Sequence, residues 1–150
     1  KLHDVTNIGP AGAINSNVED MANWLKMQLM RGQFNNKQLV SSSQIQQTWE
    51  PQIKIGNQAA YGLGWMMRDF EGQKMIVHDG SVEGFNSIVA MLPESNMGFV
   101  LLTNLTQTGL ISESVGLVFS TLIEESNETD HLFANPKKDY TKNLLLANDY

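Results

Sequence analysis

The residues best suited to chemistry lie in the middle of the chain, in the run His78-Asp79-Gly80-Ser81. A histidine side chain can donate or accept a hydrogen bond or a proton near neutral pH, so His78 is a candidate functional residue. Gly80 has no Cβ, which allows the edge of a strand to lie flat against a substrate. Both residues also have structural interpretations, as a half-buried histidine with a satisfied ring and as a bulge or turn glycine.

Several other kinds of catalytic site lack support in the sequence. The chain has no cysteine, which excludes disulfides, thiolate chemistry and cysteine-based metal sites. The other two histidines, His3 and His131, lie in terminal segments, which argues against a histidine metal site or a self-contained Ser-His-Asp triad. No serine is followed three residues later by lysine, and the Tyr-x-Asn and Gly-x-Ser-x-Gly patterns are absent as well.

Composition limits the class of protein. With 150 residues, 41% of them apolar and 17% charged, the chain has the make-up of one ordinary globular domain. The net charge of −6 argues against a nucleic-acid partner, because phosphate binding needs clustered Lys and Arg. No apolar run approaches the ~20 residues of a membrane span. The lack of cysteine fits reducing and oxidising compartments equally.

The first third of the chain is predicted to be helical. Ser16 and Glu19 match a capping box, and an apolar stripe typical of an amphipathic helix follows over residues 18–29. Gly32 is the expected stop after this helix. A second, shorter helix is expected to begin in the serines at 41–43 and to reach Trp49, before Pro51 prevents its continuation.

The middle of the chain is predicted to form four antiparallel strands. Large and small residues alternate over residues 61–67, and Gly72 marks a hairpin turn into residues 74–78. Residues 86–92 and 97–104 are apolar at nearly every position, which predicts strands covered on both faces. Tyr61 and Trp65 are expected to be core aromatics. A helix over residues 111–123 and a polar linker from Ser126 complete an α+β arrangement.

Five motifs, in order, resemble those of the class C-like branch of the serine β-lactamase and penicillin-binding-protein superfamily. The resemblance covers about residues 7–125 and implies the β-lactamase/transpeptidase-like fold. The motifs are Pro10-Ala11-Gly12-Ala13 with Ser16-Asn17-Val18-Glu19-Asp20-Met21, then Tyr61-Gly62-Leu63-Gly64-Trp65, His78-Asp79-Gly80, Gly84-Phe85, and Leu102-Thr103-Asn104. The implied division is a C-terminal part of the domain over residues 1–125, with a helical piece over about 10–51 belonging to the all-α subdomain, and the sheet with its covering helix over about 59–125. A polar linker or tail over 126–150 would lead toward a further module.

The resemblance also implies roles for residues. In this family a serine attacks an acyl carbonyl, aided by Lys and Tyr, and two main-chain N–H groups hold the oxyanion. One of those N–H groups would be that of Ser81, while His78 and Gly80 would form the H-x-G variant of the K-T-G motif. His78 would then orient the nucleophile network or hydrogen-bond a substrate carboxylate. Because the family's serine, lysine and tyrosine precede this region, the chain is expected to be inactive alone, and no cofactor or metal is implied.

The expected partners follow from the same resemblance. One is a small-molecule acyl substrate: a β-lactam, a D-amino-acid peptide or a small ester. Another is the missing N-terminal half or a second copy of the chain, because the family's sheet uses strands from both ends and would otherwise leave an open edge. The family implies a periplasmic, envelope-associated or secreted protein. The alternative is a non-catalytic binding or scaffold module that retains the fold, and S-x-x-K followed by Tyr-x-Asn upstream would distinguish the two.

Overall fold

The computed structural model describes residues 6–82, 84–105 and 109–133. It divides into two compact units, Lys1–Val115 and Gly116–Tyr150. After a 3-10 turn at Thr6–Ile8, the elements in chain order are α1 (Gly9–Gly12), α2 (Val18–Leu29), β1 (Gln33–Phe34), β2 (Lys37–Gln38), α3 (Ser42–Thr48), β3 (Ile53–Ile55), β4 (Ala59–Tyr61), β5 (Met66–Phe70), β6 (Gln73–Val82), β7 (Phe85–Leu92), β8 (Met97–Thr103) and α4 (Leu110–Phe133). The fold class is α+β, as predicted.

Helix α2 forms where the apolar stripe predicts it, but its cap lies one residue later than expected. The Asn17 side chain accepts a hydrogen bond from the Asp20 main-chain N–H at 2.9 Å and donates to the Asp20 carboxylate at 2.8 Å. The predicted capping box of Ser16 and Glu19 is therefore wrong, since Ser16 bonds only the Asn17 carbonyl. Asparagine is as good a cap as serine, and the i, i+3 spacing is retained.

Helix α3 matches its prediction closely. The Ser41 hydroxyl accepts from the Gln44 N–H at 3.4 Å, and the helix is closed by Trp49, two residues before Pro51. The small β1–β2 hairpin between α2 and α3 was not predicted, because its strands have two residues each and no apolar alternation. It follows the left-handed residues Arg31 and Gly32 that end α2.

The sheet has six antiparallel strands in the order β3-β4-β5-β6-β7-β8 rather than the predicted four. Strand β3 escaped notice because it is only three residues long. The predicted continuous strand over residues 61–67 is wrong. Tyr61 pairs with Met66, and the Gly62 N–H donates to the Trp65 carbonyl at 2.7 Å, so this segment is a hairpin that joins β4 to β5. Two glycines two positions apart, Gly62 and Gly64, favour a turn over strand interior.

The remaining hairpins agree with the sequence. The β5–β6 connection is the two-residue loop Glu71-Gly72, with φ of +52° and +82°, the values that a tight hairpin turn requires. The turn after β7 lies at Pro93-Glu94-Ser95-Asn96, as predicted. Strand β6 is longer than expected and runs past His78 to Val82.

The main core lies between the sheet and helices α2 and α3. A row of directly paired residues crosses five strands: Ala60, Met67, Ile76, Met91 and Gly98. The first four contribute to one cluster with Leu25, Ile45, Trp49 and Trp65. Trp24 stacks on Trp65 with ring centroids 5.3 Å apart, which confirms Trp65 as a core aromatic. The helical piece therefore shares its core with the sheet.

The prediction that both strands are covered on both faces is confirmed for β7 and wrong for β8. Four residues near the end of β7, Ile88, Ala90, Met91 and Leu92, are at most 5% exposed although they alternate between faces. No residue of β8 is fully buried: five of its seven residues are half-buried, and Gly98 and Leu102 are exposed, Leu102 by 38%. Among the described residues β8 is an edge strand with β7 as its one neighbour, so fewer atoms surround it.

Helix α4 begins as predicted but continues further. It runs from Leu110 to Phe133, through the Ser126–Asp130 stretch that was expected to be a polar linker, so that local prediction is wrong. Polar residues can occupy a solvent-facing helix surface as readily as a linker. The proposed domain boundary at residue 125 stays a prediction, and residues 134–150 of the tail lie outside the described residues. No helix in the described part is both long and apolar enough to cross a membrane.

Candidate active site

The candidate site lies on the second half of β6, which within the described residues has a strand on one side only. Strand β5 begins at Met66, opposite Val77, so β6 beyond Val77 pairs with β7 alone. In an antiparallel ladder, alternate residues direct their N–H and C=O groups toward the same neighbour. Val77 faces β5, and the main-chain groups of Asp79 and Ser81 therefore point to the same side, where no described strand follows. This places the Ser81 N–H on an open edge.

Gly80 pairs with Ser87 of β7. Its main-chain N–H and C=O groups point toward β7, in the direction opposite to those of Asp79 and Ser81. A Cβ built on Gly80 would come within 2.7 Å of the Ser87 hydroxyl oxygen, closer than van der Waals contact allows. The absence of a side chain at Gly80 thus makes room for this hydroxyl. The expectation that Gly80 allows close approach of a substrate stays a prediction, and the structure adds Ser87 as a neighbour whose hydroxyl would have to move to admit a Cβ.

His78 makes a side-chain contact that sequence reasoning missed. Its Nε2 lies 3.0 Å from the Tyr61 hydroxyl oxygen, a hydrogen-bond distance, and the two rings meet edge to face with centroids 6.2 Å apart. His78 is exposed whereas Tyr61 is half-buried. The prediction of Tyr61 as a plain core aromatic is therefore wrong, because the ring is only half-buried and its hydroxyl lies at hydrogen-bond distance from His78.

The main chain around Tyr61 is held firmly. The Gln52 N–H donates to the Tyr61 carbonyl at 2.8 Å, and the Leu63 N–H donates to the Thr48 carbonyl at 3.2 Å. At Gly62, an added Cβ would lie 2.6 Å from the Thr48 carbonyl oxygen, so the chain passes the end of α3 with no room for a side chain. The backbone at Tyr61 is therefore held in place, and the Tyr61 side chain extends from it to His78 on the open half of β6.

The structure places the three predicted site residues, His78, Gly80 and Ser81, on the open half of one strand, and all three are exposed. Tyr61 and Ser87 join them from β4 and β7. A signal for Tyr61 was present in the sequence. Had the two glycines of the segment 61–65 been interpreted as a hairpin, the register would have brought Tyr61 within one position of His78 across β5.

A family model described as Beta-lactamase matches residues 2–113 of the chain. The chain belongs to the beta-lactamase family. The likeness inferred from the five motifs is thereby confirmed for family and fold, while the roles of His78, Gly80 and Ser81 stay predictions.

The similarity of this chain to individual proteins agrees with this assignment. The Unguisins hydrolase ungD' of Aspergillus campestris is 28% identical over 112 residues, which cover 71% of this chain and 20% of that protein. Protein flp of Staphylococcus aureus is 30% identical over 96 residues, which cover 64% of this chain and 18% of that protein. The octameric penicillin-binding protein homologue from Pyrococcus abyssi superposes with a TM-score of 0.60 at 26% identity, covering 70% of this chain and 24% of that one.

Proposed function

We propose that these 150 residues form the H-x-G side of the active site of a serine hydrolase that cleaves an acyl substrate through an acyl-serine intermediate. The substrate class is a β-lactam, a D-amino-acid peptide or a small ester. The observation that carries the proposal is the position of the Ser81 N–H on the open edge of β6, three residues after exposed His78 on the same strand. An unpaired main-chain donor on a rigid strand is the kind of group that holds an oxyanion.

The proposed role of each group follows from the chemistry of acyl transfer. A serine oxygen attacks the acyl carbonyl, the carbonyl oxygen becomes negatively charged, and the Ser81 N–H donates one hydrogen bond to it. The leaving group then departs and water hydrolyses the ester. His78 lies three residues before Ser81 on the same open half and would hydrogen-bond a substrate carboxylate or orient the nucleophile network. None of these steps needs a cofactor or metal.

The nucleophile is proposed to lie in the same polypeptide but outside these residues. No serine here is followed three residues later by lysine, and the chain spans about a fifth of the curated relatives it matches. The isolated chain would then be inactive and would act only with its N-terminal half. The names of relatives support hydrolysis in general terms, since one is a hydrolase of unguisins and another a penicillin-binding protein homologue. The latter is octameric, which is compatible with self-association.

The first test measures the intact mass of the 150-residue chain and of the full-length protein that contains it, after incubation with a penicillin and with a fluorophosphonate. We expect a covalent adduct on the full-length protein alone. An adduct on neither would refute the acyl-serine proposal and favour the alternative, a non-catalytic module that retains the fold. An adduct on the isolated chain would refute the placement of the nucleophile.

A pair of substitutions at Ser81 isolates the main-chain donor. Ser81→Ala keeps the N–H, and the acylation rate should stay within about 3-fold of the wild type. Ser81→Pro removes the N–H without loss of a ladder bond, because this N–H faces the open edge, and the rate should fall by roughly 100- to 1,000-fold. Equal rates in two variants that melt at the same temperature would exclude Ser81 from the oxyanion hole.

A further inference from the structure

We propose that Tyr61 is the residue that positions His78: its hydroxyl holds Nε2 of the imidazole and leaves Nδ1 as the nitrogen that meets the substrate. This inference rests on the proposed function and specifies how the histidine is oriented for it. The observation is the distance of 3.0 Å between the Tyr61 Oη and the His78 Nε2, across 17 residues of sequence. Nothing in the H-x-G pattern by itself names a partner for the histidine.

An exposed histidine needs such a partner if it is to act in one orientation. His78 stands on the open half of β6 and is free to adopt several rotamers in water, and ordering it has an entropic cost. Tyr61 is half-buried, and hydrogen bonds tie the backbone at and just after it to neighbouring segments: Gln52 donates to the Tyr61 carbonyl, and Leu63 donates to Thr48 at the end of α3. The tyrosine hydroxyl can therefore hold the histidine ring in one orientation.

The proposal includes the direction of this hydrogen bond, because a hydroxyl can donate or accept and the direction fixes the tautomer of the ring. A neutral imidazole has one N–H donor and one acceptor nitrogen, and the bond made by one nitrogen decides the state of the other. Among the described residues, His78 Nε2 is the one recorded partner of the Tyr61 hydroxyl. With the phenol proton donated to Nε2, Nδ1 carries the imidazole proton. Protonation of the ring leaves Nδ1 as a donor too, with the tyrosine oxygen now accepting.

The chemistry of the substrate group follows from this assignment. An Nδ1–H donor at the open edge matches an acceptor on the acyl substrate, and a carboxylate is the strongest such acceptor. Tyr61 would then contribute to the binding of carboxylate-bearing acyl donors and much less to the hydrolysis of a simple ester that lacks a carboxylate. A merely structural tyrosine would affect both substrates alike.

The first measurement is independent of catalysis and uses the full-length protein. Long-range ¹H–¹⁵N NMR of the histidine rings gives the protonated nitrogen of His78, whose signals are assigned by their loss in His78→Gln. We expect the neutral wild-type ring to carry its proton on Nδ1, and Tyr61→Phe to shift it toward Nε2 or a mixture. A proton on Nε2 in the wild type, or ring nitrogens unchanged in Tyr61→Phe, would overturn the inference.

Ser95→Ala is the matched control, because it also deletes one hydroxyl that bonds a side chain of the same sheet, at 2.5 Å from the Gln73 Oε1 and away from His78. It should leave the ring signals of His78 unchanged. A change of the same size in Ser95→Ala would show that general loosening, and not the Tyr61 hydroxyl, moves the ring.

The second measurement is kinetic. Tyr61→Phe should raise KM for a penicillin by about 10-fold, the loss expected from one hydrogen bond, and should leave kcat/KM for p-nitrophenyl butyrate within about 2-fold. For the penicillin, the KM of the double variant Tyr61→Phe/His78→Gln should be no higher than that of His78→Gln alone, because Tyr61 is proposed to act through His78. Equal losses on both substrates would overturn the inference. If the wild type formed no acyl adduct, the proposed function would fail, and the NMR result alone would decide the role of Tyr61.

Discussion

Replacing Gly62 by alanine should destabilise this domain strongly, although alanine is a small addition. The new Cβ would lie 2.6 Å from the Thr48 carbonyl oxygen and 2.9 Å from that of Glu50, and both are main-chain atoms. Moving them apart would also break the bond that the Leu63 N–H donates to Thr48. Overpacking costs about 1–3 kcal/mol and the lost hydrogen bond about 1 kcal/mol, so we expect a loss of about 2–4 kcal/mol.

Two other glycines supply graded controls. At Gly98 the nearest atom to a new Cβ would be the Leu29 Cδ1 at 3.3 Å, the movable end of a side chain, and a strand glycine gains about 0.5–1 kcal/mol on replacement by alanine. The net change for Gly98→Ala should therefore lie within about 1 kcal/mol of zero. At Gly12 the nearest atom is the Ile8 Cδ1 at 3.7 Å, ordinary contact, so Gly12→Ala should be neutral or slightly stabilising.

Urea unfolding followed by tryptophan fluorescence measures these differences directly. All three tryptophans of the chain, Trp24, Trp49 and Trp65, belong to or pack against the main core, so their emission reports this region. With an m-value of about 1–3 kcal/mol per molar urea, Gly62→Ala should lower the midpoint by about 1–2 M at matched protein concentration. A midpoint equal to that of Gly12→Ala would refute the steric argument and the fixed position assigned to the preceding tyrosine.

Three further predictions follow from the same structure. Asn17→Ala should lower the free energy of unfolding, measured with urea, by about 1 kcal/mol, whereas Ser16→Ala should leave it almost unchanged. A larger loss for Ser16→Ala than for Asn17→Ala would show that Ser16, and not Asn17, caps the helix. In the full-length protein, Gly80→Ala should slow acylation, and adding Ser87→Ala should recover part of the rate by removing the hydroxyl that the new methyl meets; no recovery would assign the loss to another contact. The isolated 150-residue chain should self-associate or bind its N-terminal half in light scattering, and a monodisperse, well-folded monomer would contradict the expectation of an open sheet edge that needs a partner.

The helices near the start of the chain were predictable because their signals are local. The apolar stripe of α2 and the serine and proline around α3 act within a few residues, through capping, side-chain spacing and the missing proline N–H. The cap of α2 was misplaced by one position because Ser16 and Asn17 both satisfy the local pattern. Which of them caps depends on where the backbone leaves the helix.

The sheet was predicted less well, because periodicity does not tell a strand from a tight hairpin. Residues 61–67 alternate in size in either case, and only the pairing of Tyr61 with Met66 reveals the turn. Likewise, the apolar sequence of β8 is that of a strand covered on both sides. Its exposure depends on what lies beside it, which no pattern within the strand encodes.

What the sequence alone determined is the family, the α+β class and three neighbouring candidate residues, because motif order, residue type and spacing are properties of the linear chain. What only the tertiary structure decided is where those residues lie and what they contact. The open side of β6 exists because β5 starts opposite Val77, and the β4–β5 hairpin places Tyr61 opposite Met66, from where its hydroxyl contacts His78. Contacts of this kind depend on register between strands, which is set by long-range packing and not by any local pattern.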